Sequence, residues 1–201
     1  MGATVLHEDA VFPVRRSGIP INIRNTNRPQ DAGTMIVPKT DDKSSDRLVT
    51  GIAGKPGFTA IFIEKDMMNS ELGYGRRVLE TLERRGISFE HLPSGIDTIT
   101  VVVSTAALEG KLDMVVADLK RNVCPDTIRI HQNLALLAVV GRNMVSAPGV
   151  AARVFAALAR ENINIRMIDQ GSSELNIIIG IEEKDLLPAL ETLYQEFAPK
   201  E

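Results

Sequence analysis

An internal repeat constrains this chain more than any other feature. MNSELGYGRRVLETLERRGI spans residues 68–87 and MVSAPGVAARVFAALARENI spans residues 144–163, so the offset is 144 − 68 = 76 residues. No gap is needed to align the two copies. The identical pairs are Ser70/Ser146, Gly73/Gly149, Arg77/Arg153, Val78/Val154, Leu82/Leu158, Arg84/Arg160, Ile87/Ile163 and Gly95/Gly171. A repeat of this kind predicts two copies of one supersecondary unit.

Each copy predicts the order strand, helix, strand, strand, helix. The shared apolar residues of the first helix stand four apart, which places them on one helix face, and β-branched runs follow it. The first copy comprises FTAIFIE (58–64), the helix, ISFEHL (87–92), TITVVVS (98–104) and LDMVVADLKRNV (112–123). The second comprises LALLAVVG (134–141), the helix, NIRMID (164–169), LNIIIGI (175–181) and LLPALETLYQEF (186–197). This order is that of a ferredoxin-like unit that lacks one strand.

The missing strands indicate that one unit is inserted in the other. TIRIH (127–131) completes the first copy, whereas only APKE follows the last helix of the second. We therefore assign RLVTGIAG (47–54) to the second unit. The prediction is an α+β chain with two ferredoxin-like βαββαβ domains, antiparallel sheets and helices on one face. The first domain is 55–132, and the second, in which it is nested, is 47–54 plus 133–201. Residues 1–46 are too short for a domain and end in a polar linker, PKTDDKSSD (38–46).

Composition excludes several classes of function. A net charge of −3 gives no reason to expect nucleic acid or an anionic membrane as partner. The single Cys124 allows no internal disulfide, and three scattered histidines give no metal-ligand spacing. No apolar run approaches the roughly 20 residues of a membrane helix. We expect a cytoplasmic protein without a metal site.

Three segments carry a resemblance to a known family. They are the leading GATVLHEDAVFPVRRSGIPINIRNTNRPQDAGTMI (2–36), MMNSELGYGRRVLETLERRGI (67–87) and NMVSAPGVAARVFAALARENINIRMIDQGSSELNIII (143–179). Together they are similar to the C-terminal regulatory part of aspartate kinases, which contains tandem ACT domains. The resemblance covers the whole chain, although Glu8 stands where a proline is common. It implies that 1–46 is the end of the kinase segment with its linker, and that one ACT domain is nested in the other.

The family's catalytic signatures are not found in this sequence. There is no KFGG-like opening and no Gly-rich phosphate loop. GIAGKPG (51–57) departs from the G-x-x-x-x-G-K-[ST] pattern because Lys55 precedes Pro56, and it is interpreted as a turn. We therefore expect no catalytic residues and no cofactor here, with ATP and magnesium bound only by a kinase domain outside this sequence. This chain alone is not expected to phosphorylate aspartate.

The Ser-x-x-Gly turn before each first helix suits an amino-acid effector. Its N–H groups and the helix dipole attract a carboxylate, and glycine lets a ligand approach the backbone. The alternative is that Ser70 and Ser146 are helix N-caps. By resemblance, the effector site of the first domain is Met67, Ser70, Gly73, Tyr74, Phe89, Glu90, Asp97 and Thr98. Second-domain contacts would be Asn143, Gly149, Val150 and Gln170.

Differences between the copies favour lysine as the effector. Glu90 and Asp97 align with Arg166 and Ser173, so only the first copy offers two acids. A ligand with a second cationic group would form charge-assisted hydrogen bonds with such acids. The alternatives are a solvated Glu90 and a turn residue Asp97. Threonine, bound through backbone groups and Gln170, is the rival effector, and joint control by both is a further option. His91 is interpreted as a packed strand histidine.

The resemblance also implies partners and a mechanism. The effector would favour one arrangement of paired ACT domains and so shift an attached kinase domain or catalytic subunit toward its inactive form. A homodimer through the ACT domains is expected, since pairing covers exposed sheet edges. The rival reading is a purely structural dimerisation module. An RNA-binding module would need aromatic residues on the central strands, and a copper chaperone would need Cys-x-x-Cys; neither occurs here.

Overall fold

The computed structural model describes residues 11, 13, 14, 16–37 and 47–198, and the chain divides into two compact units, 1–46 and 47–201. In the described part of the first unit, strands β1 (Ile21–Ile23) and β2 (Thr34–Ile36) form a small antiparallel ladder, with Ile21 opposite Ile36. The connection is rich in Asn, Pro, Asp and Gly, as turns are. Glu8 and the predicted linker 38–46 lie outside the described residues.

The described residues of the second unit, 47–198, form one five-stranded antiparallel sheet with four α-helices. The strand order is β4-β3-β5-β7-β6. The strands are β3 (Gly51–Glu64), β4 (Thr98–Ser104), β5 (Thr127–Val140), β6 (Ile165–Asp169) and β7 (Asn176–Glu182). The helices are α1 (Tyr74–Glu83), α2 (Leu112–Val123), α3 (Val150–Arg160) and α4 (Leu186–Phe197). The predicted α+β class, with antiparallel strands and helices in the ferredoxin-like arrangement, is confirmed. None of the helices in the described part of the chain has the length and apolar character that would let it span a membrane.

Strands β3 and β5, each of 14 residues, join runs that were predicted as separate strands. The predicted turn 51–57 is wrong, because this segment stays extended and crosses a bulge between Lys55 and Phe58. Gly57, at φ +88°, supplies the left-handed backbone that the bulge needs. TIRIH and LALLAVVG likewise form the single strand β5. Each long strand therefore contributes to two parts of the sheet.

The two parts are called here the first half and the second half of the sheet. The first half is β4 with residues 58–64 of β3 and 127–133 of β5. The second half is β6 and β7 with residues 51–55 of β3 and 134–140 of β5. Residues 51–55 pair with 136–140, which is the pairing that the nesting hypothesis requires. The domain boundaries themselves stay a prediction.

Each half has its own hydrophobic core against its own pair of helices. The first core joins Ile61 and Val101 to helices α1 and α2, and the second joins Leu137 and Ile179 to helices α3 and α4. A third cluster contains Phe58, Ala60 and Val102 of the first half together with Leu134, Leu136, Ala138 and Ile178 of the second. The helix-free faces of the two halves therefore pack against each other around these side chains.

The predicted strand ISFEHL is wrong. The segment makes only isolated bridges to β4, at His91 with Val102 and at Ser94 with Ile99. Pro93 has no N–H group to donate, so a regular ladder cannot continue through it. The segment instead covers the outer edge of β4 irregularly. The other predicted strands and helices are present, and α2 and α4 have the predicted bounds.

Deleting residues 47–54 is expected to destabilise the second half of the sheet more than the first. The deletion removes the partners of Leu137–Val140 and takes Val49 and Ile52 from the second core. Native-state hydrogen exchange should show a larger loss of protection for Ile177–Ile181 than for Ile99–Val103. Equal losses, or a larger loss in Ile99–Val103, would contradict the nested arrangement.

Candidate functional site

The loop between β3 and α1, residues 65–73, is fastened to the turn that precedes β4. Lys65 N–H donates to the Asp97 carbonyl over 2.9 Å, and Met67 N–H donates to Asp97 Oδ1 over 3.0 Å. Asn69 N–H donates to the Ile96 carbonyl over 3.1 Å. Met67 holds a left-handed conformation, φ 58°. Asp97 thus orders the 65–73 loop through its backbone and one carboxylate oxygen.

Helix α1 begins without a side-chain cap. Gly73 occupies the N-cap position at φ 75°, and Gly149 does the same for α3 at φ 86°. The alternative in which Ser70 and Ser146 are N-caps is therefore wrong; the Ser70 hydroxyl is exposed and lies 3.4 Å from Asn69 Oδ1. The first-turn N–H groups of α1, such as that of Gly75, have no acceptor within the helix. Together with the helix dipole they attract an anion.

Tyr74 supports the 65–73 loop from beneath. Its ring is 3% exposed and belongs to the first core. Burial, and then the nearby charges of Glu71 and Asp126, raise the pKa of Tyr74 to about 12. Its hydroxyl has no hydrogen-bond partner among the described residues. The Arg77 guanidinium, paired with Glu71, lies 5.6 Å from the ring centroid. The Tyr74 side chain therefore lies in the core and is not exposed at the loop surface.

Large apolar side chains project into solvent around the same loop. Met67 and Ile96 are each 70% exposed, and Leu72 is 94% exposed. Thr98, half-buried, opens β4 beside the Asp97 carboxylate. The loop surface thus combines N–H donors, a carboxylate and apolar groups, which are the features that a zwitterionic amino acid with a long side chain would use.

Two predicted contacts lie elsewhere in the chain. The Glu90 N–H donates to the Val102 carbonyl over 2.8 Å. Val102 stands five residues beyond Asp97, which is a distance of about 16 Å at the rise per residue of a strand. Phe89, 47% exposed, lines a groove with Leu79 at the far end of α1. The structure does not bring Glu90 or Phe89 together with Asp97 within one chain.

The second copy is braced by a different acid. Ser146 N–H donates to Glu174 Oε2 over 2.5 Å, and Asn143 Nδ2 donates to the Arg47 carbonyl over 2.9 Å. Val150 is buried, and Gln170 is exposed just after β6. The alignment of the two copies missed Glu174, because this acid stands one residue beyond Ser173, the position equivalent to Asp97. Both copies thus fasten the loop before the helix through a carboxylate.

His91 links the two halves of the sheet. Its Nδ1 lies 2.9 Å from Asp169 Oδ2 on β6. The His91 side chain is 19% exposed, in agreement with the interpretation of a packed histidine, although its segment is not a strand. Among the described residues no group of three or more His, Cys, Asp or Glu side chains is arranged to hold a metal ion.

Comparison with known proteins shows what this chain is similar to. The ACT domain family matches residues 137–197. Aspartokinase 3 of Bacillus subtilis is 40% identical over 197 residues, which is 98% of this chain and 43% of that protein. The chain thus spans less than half the length of this curated relative, and the part that it matches is the C-terminal regulatory part.

Two solved structures extend the comparison. The crystal structure of Clostridium acetobutylicum aspartate kinase is 51% identical, with a TM-score of 0.91, and the match covers 98% of this chain and 45% of that one. Escherichia coli aspartokinase III, solved in complex with lysine and aspartate in the T-state, is 25% identical, with a TM-score of 0.74 over 97% of this chain and 42% of that one.

Proposed function

The chain belongs to the ACT-domain regulatory part of the aspartokinase family, and from this premise we propose that it binds L-lysine as an allosteric effector. Control of aspartate phosphorylation by an attached kinase domain or catalytic subunit is part of this proposal. ATP and magnesium would be held by that kinase domain and not by this chain. A cytoplasmic location belongs to the same proposal.

The single observation that carries the proposal is the pairing of the 65–73 loop with Asp97. A lysine carboxylate would bind the open first turn of α1, where Gly73 leaves the backbone accessible. An ammonium group would bind the Asp97 carboxylate, whose Oδ1 already accepts Met67 N–H and whose second oxygen remains for the ligand. The methylene chain of lysine would lie on Met67 and Ile96. The lysine named with Escherichia coli aspartokinase III supports the choice of effector.

We propose that the 65–73 loop lies at a homodimer interface. Met67, Leu72 and Ile96 expose more apolar surface at one place than a monomer needs, and a second copy would cover it. Phe89 and Glu90 would then reach the effector from the other protomer, since they are too distant within one chain. Effector bound between protomers favours one arrangement of the pair, and its differential affinity for the two arrangements shifts the kinase equilibrium.

Calorimetric titration of the 201-residue chain with L-lysine, L-threonine and both together tests the proposal. Saturable lysine binding with a negative heat-capacity change is expected, because apolar surface is buried with the ligand. If only threonine bound, threonine would be the effector in place of lysine. If a folded dimer bound no aspartate-family amino acid, the chain would be a structural dimerisation module and the effector proposal would fail.

A further inference from the structure

A cavity of about 350 Å³ lies between the two halves of the sheet. Ala60, Phe62 and Thr100 of the first half form one wall, and Leu134 and Met167 of the second half form the other. None of the residues that line it belongs to the 65–73 loop. The volume falls at the lower end of the roughly 300–1,000 Å³ range of small-molecule sites. We call this space the central cavity.

Arg166 is the one charged residue among the described residues that line the central cavity. This is the residue at which the second copy departs from Glu90 of the first, and the proposed lysine site makes no use of it. An Arg166 η-nitrogen lies 2.8 Å from His131 Nδ1, and its Nε lies 3.5 Å from Glu182 Oε1. Because a guanidinium can only donate, His131 Nδ1 is the acceptor of this hydrogen bond.

The remaining donors of Arg166 define the ligand group. A guanidinium has five N–H groups in a planar fork. His131 accepts one of them, and Nε faces the Glu182 carboxylate, so the donors that remain are on the two η-nitrogens. An edge of the fork is left for a carboxylate, which arginine binds in bidentate geometry. His131 also lines the cavity. Asn164 and Thr100, which also line the cavity, offer oxygen acceptors suited to an ammonium group.

The rest of the lining is largely apolar. It includes Phe62, Leu134, Met167 and the small side chain of Ala60. The Phe62 ring is held in place by the Arg129 guanidinium, 4.6 Å from its centroid. A branched aliphatic or aromatic side chain fits this lining, whereas an ammonium-tipped chain such as that of lysine would lose its hydration there without gaining a partner.

We propose that the central cavity is a second ligand site, which takes a small amino acid with an apolar side chain, its carboxylate on Arg166 and its side chain against Phe62 and Met167. The site differs from the proposed lysine site in position and in ligand chemistry. Since its walls come from both halves, the ligand would fasten the halves together beside the His91–Asp169 pair.

Methyl NMR can observe the two sites separately in the intact 201-residue chain. Of its seven methionines, Met67 lies in the 65–73 loop and Met167 in the cavity wall. With 13C-methyl-methionine labelling, Met67→Leu and Met167→Leu assign the two signals. L-leucine and L-phenylalanine should shift the Met167 signal saturably and leave Met67 unchanged. L-lysine should do the reverse, so a failure at one site is seen independently of the other.

Changes in the ligand and in the protein test the carboxylate contact. 3-Methylbutylamine, which is leucine without its carboxylate, should leave Met167 unshifted, whereas 4-methylpentanoate should still shift it. Arg166→Gln should weaken leucine binding at least about tenfold, as expected for a charge-assisted hydrogen-bonded contact. Arg166→Lys keeps the charge but not the planar fork of donors. Its affinity for leucine should lie between that of the unchanged chain and that of Arg166→Gln.

Three results would overturn the proposal. They are an unshifted Met167 signal with both amino acids, a leucine shift confined to Met67, and equal binding of 3-methylbutylamine and leucine. Unchanged leucine binding in Arg166→Gln, with circular dichroism confirming the fold, would also reject Arg166 as the carboxylate ligand.

Discussion

Replacing Gly141 by alanine is expected to lower the free energy of unfolding by about 3 kcal/mol, toward the upper end of overpacking effects. Gly141 follows β5 and donates its N–H to the Leu175 carbonyl over 3.0 Å. A Cβ at this position would overlap the carbonyl group of Leu48 and lie 3.0 Å from the Val49 Cα. These neighbours are backbone atoms, so no change of rotamer can relieve the overlap. Urea denaturation of the variant and the parent chain measures the difference.

Gly171→Ala is the matched control. Gly171 also lies in a loop of the second copy, and no heavy atom stands within 4 Å of the Cβ that alanine would add. Its expected effect is within about 0.5 kcal/mol. Equal stabilities for the two variants would contradict the close packing of residues 48–49 against Gly141.

Asp97→Asn is expected to weaken lysine binding about tenfold or more without unfolding the 65–73 loop. The amide oxygen of asparagine can still accept the Met67 N–H, so the loop keeps its brace while the negative charge is lost. Asp97→Ala removes both charge and brace. The alanine variant should therefore lose lysine binding. Its Met67 amide signal should also move to the position typical of a disordered segment. Calorimetry with the amide spectrum separates the two roles.

Glu174→Gln is the corresponding control in the second copy. Glu174 braces that copy's loop through Ser146, and glutamine keeps an acceptor oxygen there. Lysine binding should be unchanged. If Glu174→Gln weakened lysine binding and Asp97→Asn did not, the effector site would belong to the second copy.

Local periodicity was sufficient to predict the helices and most of the strands. The apolar residues of α1 and α3 recur at helical spacing, and TITVVVS is rich in β-branched residues, so these elements followed from the chain alone. GIAGKPG was misinterpreted because glycine and proline usually mark turns. Only tertiary pairing with 136–140 keeps it extended through the bulge. ISFEHL shows the converse, since its alternating pattern is overruled by Pro93.

The candidate site was predictable in its loop and not in its distant members. Repetition of Ser-x-x-Gly before each first helix pointed to residues 67–74. The separation of Glu90 from Asp97 depends on where segment 87–92 meets β4, and sequence spacing does not contain that register. Arg166 was visible only as a difference between copies. Its approach to His131 depends on the placement of β6 and β5 on either side of β7, which local sequence does not contain.

The continuity of β3 and β5 limits how this region can be recombined with related proteins. Residues 58–133 contain all of the first half of the sheet, so one contiguous exchange replaces it. The second half has strand residues on both sides of that segment, at 51–55 and from 134 onward, so its transfer needs two separate segments of chain. A chimera with a single junction near residue 133 would combine a β5 edge from one parent with a 51–55 partner from the other, and the fit of Leu137 against Gly54 would decide whether it folds.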